Sequence, residues 1–184
     1  MNRPSGLLTI GHSTLAADAF VAMLTAHSVE LLADVRRFPA SRRHPQFGRD
    51  ALAQMLASHG IAYLHFPELG GRRDPKPDSP NTAWREAGFR GYADYMETAE
   101  FSHGISRLLD AAQARATAIM CAEKSWRSCH RGLIADHLKA SGFDVIHVLD
   151  SAAAEPHPWT AAARMIDGRL CYSAARIDQQ QLPF

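Results

Sequence analysis

A chain of 184 residues with 46% apolar side chains is long enough for one well-covered core and too short to require two. Its formal charge of +1 gives no overall field to steer it toward nucleic acid or a membrane surface, so any basic patch must be local. Three cysteines with no export signal argue for thiols rather than a disulfide framework, and no apolar run approaches the roughly 20 residues of a membrane span, so the expected setting is the cytoplasm.

Taken in chain order, Leu7, Leu8, Thr9 and Ile10 read as a short strand that stops at Gly11, His12 and Ser13, a polar loop whose glycine allows close backbone approach. Thr14 can cap a helix reaching His27, with Ala17, Phe20 and Leu24 on one face. A second strand runs from Glu30 to Val35, and residues 38–47, with two prolines and no sustained period, form a long loop. Asp50 starts a helix with Leu52, Met55 and Leu56 inward, and residues 61–66 make a third strand stopped by Pro67. Residues 68–88 carry Gly70, Gly71 and three prolines among many charges, which predicts a lid or functional loop rather than an ordinary connection. A helix opens at Phe89, with Phe89, Tyr92 and Met96 on one face as core, and another spans residues 102–114. A fourth strand begins at Thr117 and a fifth spans residues 143–149. Residues 151–159 read as a linker, residues 165–172 as a small hairpin with an Asp-Gly turn, and the Gln-rich tail as frayed.

Strands alternating with helices predict an α/β fold: a single three-layer domain with a mostly parallel five-stranded sheet, order 3-2-1-4-5, helices on both faces and a small C-terminal hairpin. Residues 1–150 would form the α/β body, with residues 151–184 packed on it as linker, hairpin and tail. The switch point would then lie between strands one and four, with the loops after them facing one another.

The stretch from Ala118 to Arg131 has the densest chemistry: strand, tight polar loop, helix. Ser128 can act as N-cap of a helix over residues 129–141, with Leu133, Ile134 and Leu138 buried and Gly142 just beyond. His130 and Arg131 then sit in its first turn, against the macrodipole, at about 0.3–1 kcal/mol each. Something negative should compensate, either Glu123 or an anionic ligand; alternatively Arg131 pairs with Glu123 as a structural clamp. The rim collects His12, Ser13, Asp34, Arg36, His65, Cys121, Glu123 and Lys124, and cations outnumber acids along residues 34–49, 70–76 and 121–131. The expected guest is an anion.

Other chemistries fit less well. Cys121 and Arg127 have the spacing of a phosphatase loop, but the segment lacks glycine and carries Glu123, a carboxylate that would repel phosphate. Cys121, Cys129, His130 and either His65 or His12 could supply soft metal ligands, yet seven residues between the cysteines is not a zinc-knuckle spacing, and no metal site is assigned. A redox pair of Cys121 and Cys129 lacks the two-residue separation of thioredoxin-like motifs.

The ordered set Thr9-Ile10-Gly11-His12-Ser13, Asp34-Val35-Arg36 with Pro39 and Ser41, Tyr63-Leu64-His65 with Pro67, Leu69-Gly70-Gly71, Tyr92-Ala93-Asp94-Tyr95-Met96, and Met120-Cys121-Ala122-Glu123 with Cys129-His130-Arg131 resembles the family catalogued as domain of unknown function 488, over about residues 7–150. The resemblance implies a small cytoplasmic prokaryotic α/β protein with no settled activity, and makes these polar positions its motif residues. Ser125 and Trp126 depart from the aspartate-proline usual there, and Arg127 lies outside the pattern.

The expectation is an enzyme, in the manner of a hydrolase, acting on a phosphate-bearing or other anionic substrate, a nucleotide or nucleic acid among them. Cys121, Glu123, Cys129, His130 and His12 are the catalytic candidates. Ser13, Asp34, Arg36, His65, Lys124 and Arg131 are the binding candidates. A nucleic-acid-binding module without turnover, and a cysteine-based redox or metal site, are the alternatives. The sequence names no cofactor and no oligomeric state, and it predicts no membrane partner.

Overall fold

Short apolar runs bounded by polar turns become strands here, the interior ones buried on both faces. In the computed structural model, which describes residues 6–40 and 43–174, these are β1 (Leu7–Gly11), β2 (Leu31–Asp34), β3 (Ala62–His65), β4 (Thr117–Cys121) and β5 (Val145–Val148). Every residue of β4 and of β2 is buried, as expected of interior strands in a parallel sheet. The intervening helices are α1 (Ala17–Ala26), α2 (Arg49–Ala57), α3 (Ala87–Tyr95), α4 (Ala99–Ala112) and α5 (Arg131–Ala140).

The sheet is mixed α/β and mostly parallel, but its order is β3-β2-β4-β1-β5-β6 rather than 3-2-1-4-5, and it has six strands rather than five. The sixth, β6 (Ala154–Pro156), pairs antiparallel with β5 inside the segment read as a linker. The exchange of β1 and β4 has a simple cause. Both are five-residue apolar runs, and hydropathy alone cannot rank two strands that are each buried on both faces. They remain neighbours, with Gly11 opposite Cys121, so their following loops still lie side by side. What changes is β2, which now runs beside β4 and places Asp34 opposite Met120.

Alternation along the strands fills two cores. On one face Ile10, Leu32, Ala118 and Met120 pack under Phe20 and Leu24 of α1 and Leu52 and Leu56 of α2. On the other, Ala33, Ile119 and Cys121 meet Tyr92 of α3, Phe101 and Leu108 of α4, and Leu133, Ile134 and Leu138 of α5. Helices thus cover both faces. No described helix is long and apolar enough to cross a membrane.

Helix boundaries differ from expectation where caps compete. α1 begins at Ala17 rather than after Thr14, and α4 begins at Ala99 because Thr98 accepts the Phe101 N–H at 3.2 Å. α5 begins at Arg131, two residues late, since Trp126–Ser128 wind into a tight 3-10 turn capped by Ser125. The hairpin forms as expected, β7 (Arg164–Ile166) and β8 (Arg169–Cys171), with Asp167 and Gly168 both at positive φ, 49° and 74°. The Gln-rich tail lies outside the described residues. The sheet's outer strands are β3, where Leu64 is exposed, and β6, which carries Pro156.

The segment after β5 is tied to the body by a buried polar chain. Thr9 Oγ1 meets His147 Nδ1 at 2.7 Å, His147 Nε2 meets His157 Nδ1 at 2.8 Å, and His157 Nε2 meets Asp136 Oδ1 at 2.9 Å. Asp136 also accepts from Thr160 N–H, Thr160 Oγ1 and Tyr172 OH. Trp126 stacks flat on His147, with ring centroids 4.3 Å apart. Burial, together with the nearby charges of His157, Arg131 and Arg127 and only partly opposed by Cys129, lowers the His147 pKa to about 3. Because this value lies below that of the unfolded chain, unfolding takes up a proton, and the stability present above about pH 6.5 is lost as pH falls toward about 3. The thermal midpoint is therefore expected to fall steadily below about pH 6.5, while imidazole NMR near pH 5 finds His147 still neutral. A folded-state titration of His147 near its ordinary value contradicts this assignment.

Candidate active site

The site begins where β1 and β4 end. Their pairing continues past the strands: His12 N–H donates to Cys121 O at 3.1 Å and Ser13 N–H to Ala122 O at 2.8 Å. A Cβ on Gly11 would stand 1.9 Å from the Glu123 carbonyl oxygen, so only glycine lets the two loops approach this closely. Ser13 adopts φ 48° and Arg72 φ 62°, left-handed values uncommon away from glycine, and both line the same cavity.

That cavity, about 690 Å³, opens at the carboxyl ends of β1, β2 and β4. Of the residues expected there, Cys121, Glu123, Cys129 and His130 line it together, and so do His12, Ser13, Arg36 and Lys124. Asp34, His65 and Arg131 are not among its lining residues. Each of these three is engaged beneath it. Asp34, fully buried, accepts from Arg36 Nε at 2.9 Å and Nη2 at 2.6 Å, and from Tyr63 OH at 2.7 Å. His65 Nε2 meets the Arg36 carbonyl at 2.8 Å. Arg131, also buried, donates from Nη2 to the carbonyls of Glu123 at 2.6 Å and Lys124 at 3.3 Å, and from Nε to Cys129 Sγ at 3.4 Å.

Arg131 therefore holds the loop by its backbone, not by the Glu123 carboxylate. At this helix start the side chain that Arg131 meets is not Glu123 but Cys129. Burial raises its pKa, but a hydrogen bond from Cys121 and the charges of His130 and Arg131 outweigh burial and hold the thiol well below its ordinary value. Cys121 moves the opposite way, pushed up by its bond to Cys129, by burial and by Glu123. Its Sγ lies 3.1 Å from Glu123 Oε2. Both cysteines are free thiols.

His12 is bounded on every side. It stacks on Phe47 at 4.1 Å, meets Ser13 O through Nδ1 at 2.9 Å, and faces Arg36 Nη1 through Nε2 at 3.3 Å. Burial, with Arg36 beside it, lowers its pKa to about 4 despite the Ser13 contact, so it is neutral near pH 7 with both ring nitrogens engaged. Arg36 is held charged: burial opposes this, and the Asp34 bonds more than offset it.

The basic rim is thinner than the sequence suggests. Arg127 pairs with Glu155 at 2.9 Å, which removes it from any phosphatase-like geometry with Cys121; Lys76 pairs with Glu97; and Arg73 lies 3.5 Å over the Tyr95 ring. Cations that line the cavity without an ion pair among the described residues are Arg37, Arg72 and Lys124. Ser41 and Arg42 lie outside the described residues.

Residues 68–88 border the cavity through Gly71, Arg72, Glu86 and Gly88, and they are tethered from below. Asp94 on α3 accepts from Lys76 N–H at 2.8 Å, Ser79 Oγ at 2.6 Å and Asn81 Nδ2 at 2.8 Å. The family resemblance marked Asp94 as a motif position without saying what it does; its place within the buried run from Gly91 to Tyr95 points to the structural tether seen here. Tyr63, which braces Asp34, stood among the same motif positions, whereas Phe47, which braces His12, left no comparable trace.

A parallel α/β sheet with thiols, an imidazole, a carboxylate and cations gathered at its carboxyl edge defines the class of protein. The chain belongs to the family described as Domain of unknown function DUF488, which matches residues 16–138. The matched span contains β2 through most of α5, including both site cysteines, and begins just after His12 and Ser13. No curated protein and no solved structure gives a significant match.

Proposed function

We propose that this protein is an enzyme acting on a phosphate-bearing or otherwise anionic small molecule of nucleotide size. The observation that carries the reading is that one cavity holds two thiols, an imidazole and a carboxylate beside three cations with no ion pair among the described residues. Arg37, Arg72 and Lys124 hold the anion, Glu123 moves a proton, and the cluster of Cys121, Cys129 and His130 is the reactive centre. Phe38, exposed at the mouth, and Phe89 offer ring faces for a base. Arg36, its guanidinium taken up by Asp34, Phe47 O and His12, shapes the wall.

A nucleic-acid-binding module draws less support, because Lys76, Arg73, Arg127 and Arg131 are spent on internal partners instead of presenting a continuous basic strip. Calorimetry with nucleoside phosphates, read beside product formation, separates the two. Lys124→Ala is expected to weaken binding by roughly 10–100-fold, the usual loss of a hydrogen bond to a charged group. Glu123→Gln is expected to keep binding and lose turnover. Binding of none of these anions, or binding indifferent to Lys124→Ala, sinks the reading; a steep salt slope on nucleic acid with no dependence on Glu123 transfers support to the binder.

A further inference from the structure

Three soft ligand atoms converge on the wall of the cavity. Cys121 Sγ, Cys129 Sγ and His130 Nδ1 all lie within 4.8 Å of one another, and Nδ1 is 4.0 Å from the first sulfur and 3.7 Å from the second. Around tetrahedral zinc, with Zn–S of about 2.3 Å and Zn–N of about 2.0–2.1 Å, adjacent ligand atoms stand roughly 3.5–3.8 Å apart. The three groups need to close by no more than about 1 Å to reach that arrangement.

The surroundings prepare each ligand separately. His130 Nε2 lies 3.2 Å from the Val35 carbonyl; donating to it places the ring proton there and leaves the Nδ1 lone pair facing the sulfurs, the usual orientation of a metal-bound histidine. Arg131 Nε donates to Cys129 Sγ at 3.4 Å, which moderates the charge of a thiolate ligand as second hydrogen bonds do at zinc sites. Glu123 Oε2, 3.1 Å from Cys121 Sγ, is placed to take the proton that this thiol gives up on coordination. At Gly71 a Cβ would stand 2.8 Å from Nδ1 and 3.2–3.3 Å from Cγ and Cε1, over the face of the ring, so glycine lets this segment pack flat on the imidazole and hold its orientation.

We propose that Cys121, Cys129 and His130 bind a zinc ion through two sulfurs and Nδ1, with the fourth position open to the cavity. All three residues line that cavity, and three protein ligands with one open position is the pattern of catalytic zinc, not of structural zinc. The ligands come from the end of β4 and the start of α5, two elements fixed by the sheet. That is why the sequence shows no knuckle spacing. Thiolate with imidazole selects zinc over magnesium or calcium. The proposal deepens the enzymatic reading and rests on it only for what the ion does; whether the ion binds is measured without substrate.

The test is metal analysis of the full chain, purified reduced and without chelator, followed by cobalt(II) titration of the metal-free protein. The expected result is one zinc per chain, and with cobalt a near-ultraviolet thiolate charge-transfer band that zinc abolishes. Cys129→Ser and His130→Gln are each expected to weaken zinc affinity by at least about 100-fold, above the range for losing a second-shell partner. Cys171→Ser, at a thiol in β8, should leave the stoichiometry at one. Folded, reduced wild-type protein that holds no zinc and gives no thiolate band with cobalt overturns the proposal, and so does equal zinc loss in Cys171→Ser. If the ligand variants fail to fold, the wild-type cobalt spectrum decides. Zinc bound with no affinity for nucleoside phosphates removes the substrate reading alone; nucleotide turnover by protein that takes up no zinc removes the zinc centre alone.

Discussion

Asp136→Ala is expected to destabilise the protein by about 3–5 kcal/mol, the cost of deleting one partner from a buried, hydrogen-bonded charge network. Asp136 is fully buried on α5 and accepts from His157, Thr160 N–H, Thr160 Oγ1 and Tyr172, the two hydroxyls at 2.5 Å and 3.0 Å. Its loss strands four donors at once and leaves the segment carrying β6 and β8 joined to α5 chiefly by the Lys139 bond to the His157 carbonyl and by packing. Hydrogen exchange should therefore show protection falling first from Ala154 to Tyr172, with β1, β2 and β4 retaining theirs. Uniform loss across the sheet, or a cost below about 1 kcal/mol in urea unfolding, argues against Asp136 as the anchor. Asp136→Asn, which keeps an acceptor, is expected to cost less.

Asp34→Ala should cost a similar amount, about 3–5 kcal/mol, through a different failure. The carboxylate holds Arg36 in a two-pronged bond and also receives the Arg36 N–H at 3.0 Å and the Tyr63 hydroxyl. Without it, a guanidinium remains in an almost fully buried position, left with the Phe47 carbonyl and His12 as its partners among the described residues. The double variant Asp34→Ala with Arg36→Met removes the stranded charge and is expected to recover part of the loss. A double variant no more stable than the single one would falsify the assignment of that cost to an unpaired charge. For a chain of this length, each kcal/mol corresponds to roughly 2–4 °C in thermal midpoint, so both effects lie well within reach of calorimetry.

What could be read from the sequence followed from physical rules with strong local signatures. Buried parallel strands are apolar runs; β2 and β5 fall within the runs from which they were read, β4 begins at Thr117 as expected, and β1 runs one residue further, through Gly11. The Asp167-Gly168 turn was legible because two consecutive positive φ values demand such residues. Strand order was not legible: β1 and β4 present the same hydropathy, and only long-range packing distinguishes them. β6 was hidden because Ala154, Glu155 and Pro156 have no strand propensity, and pairing with β5 alone makes them a strand. In the site, the convergence of His12, Arg36, Cys121 and Glu123 on one cavity was expected from parallel topology. The internal commitment of Asp34, His65 and Arg131 was not, since residue type cannot reveal whether a guanidinium faces solvent or the underside of its own loop. Ser128 offered a plausible cap, but the tight turn before α5 displaced it so that Arg131 could reach back to the Glu123 carbonyl.

The two outer strands have a consequence for self-association. β3 is four residues long and is followed by Pro67, and β6 is three residues long and includes Pro156, which has no N–H to offer a newcomer. Neither rim gives a second copy a ladder long enough to register against. The six-stranded sheet should therefore end where it does instead of continuing from one molecule into the next, and a homodimer of this chain should join through other surfaces.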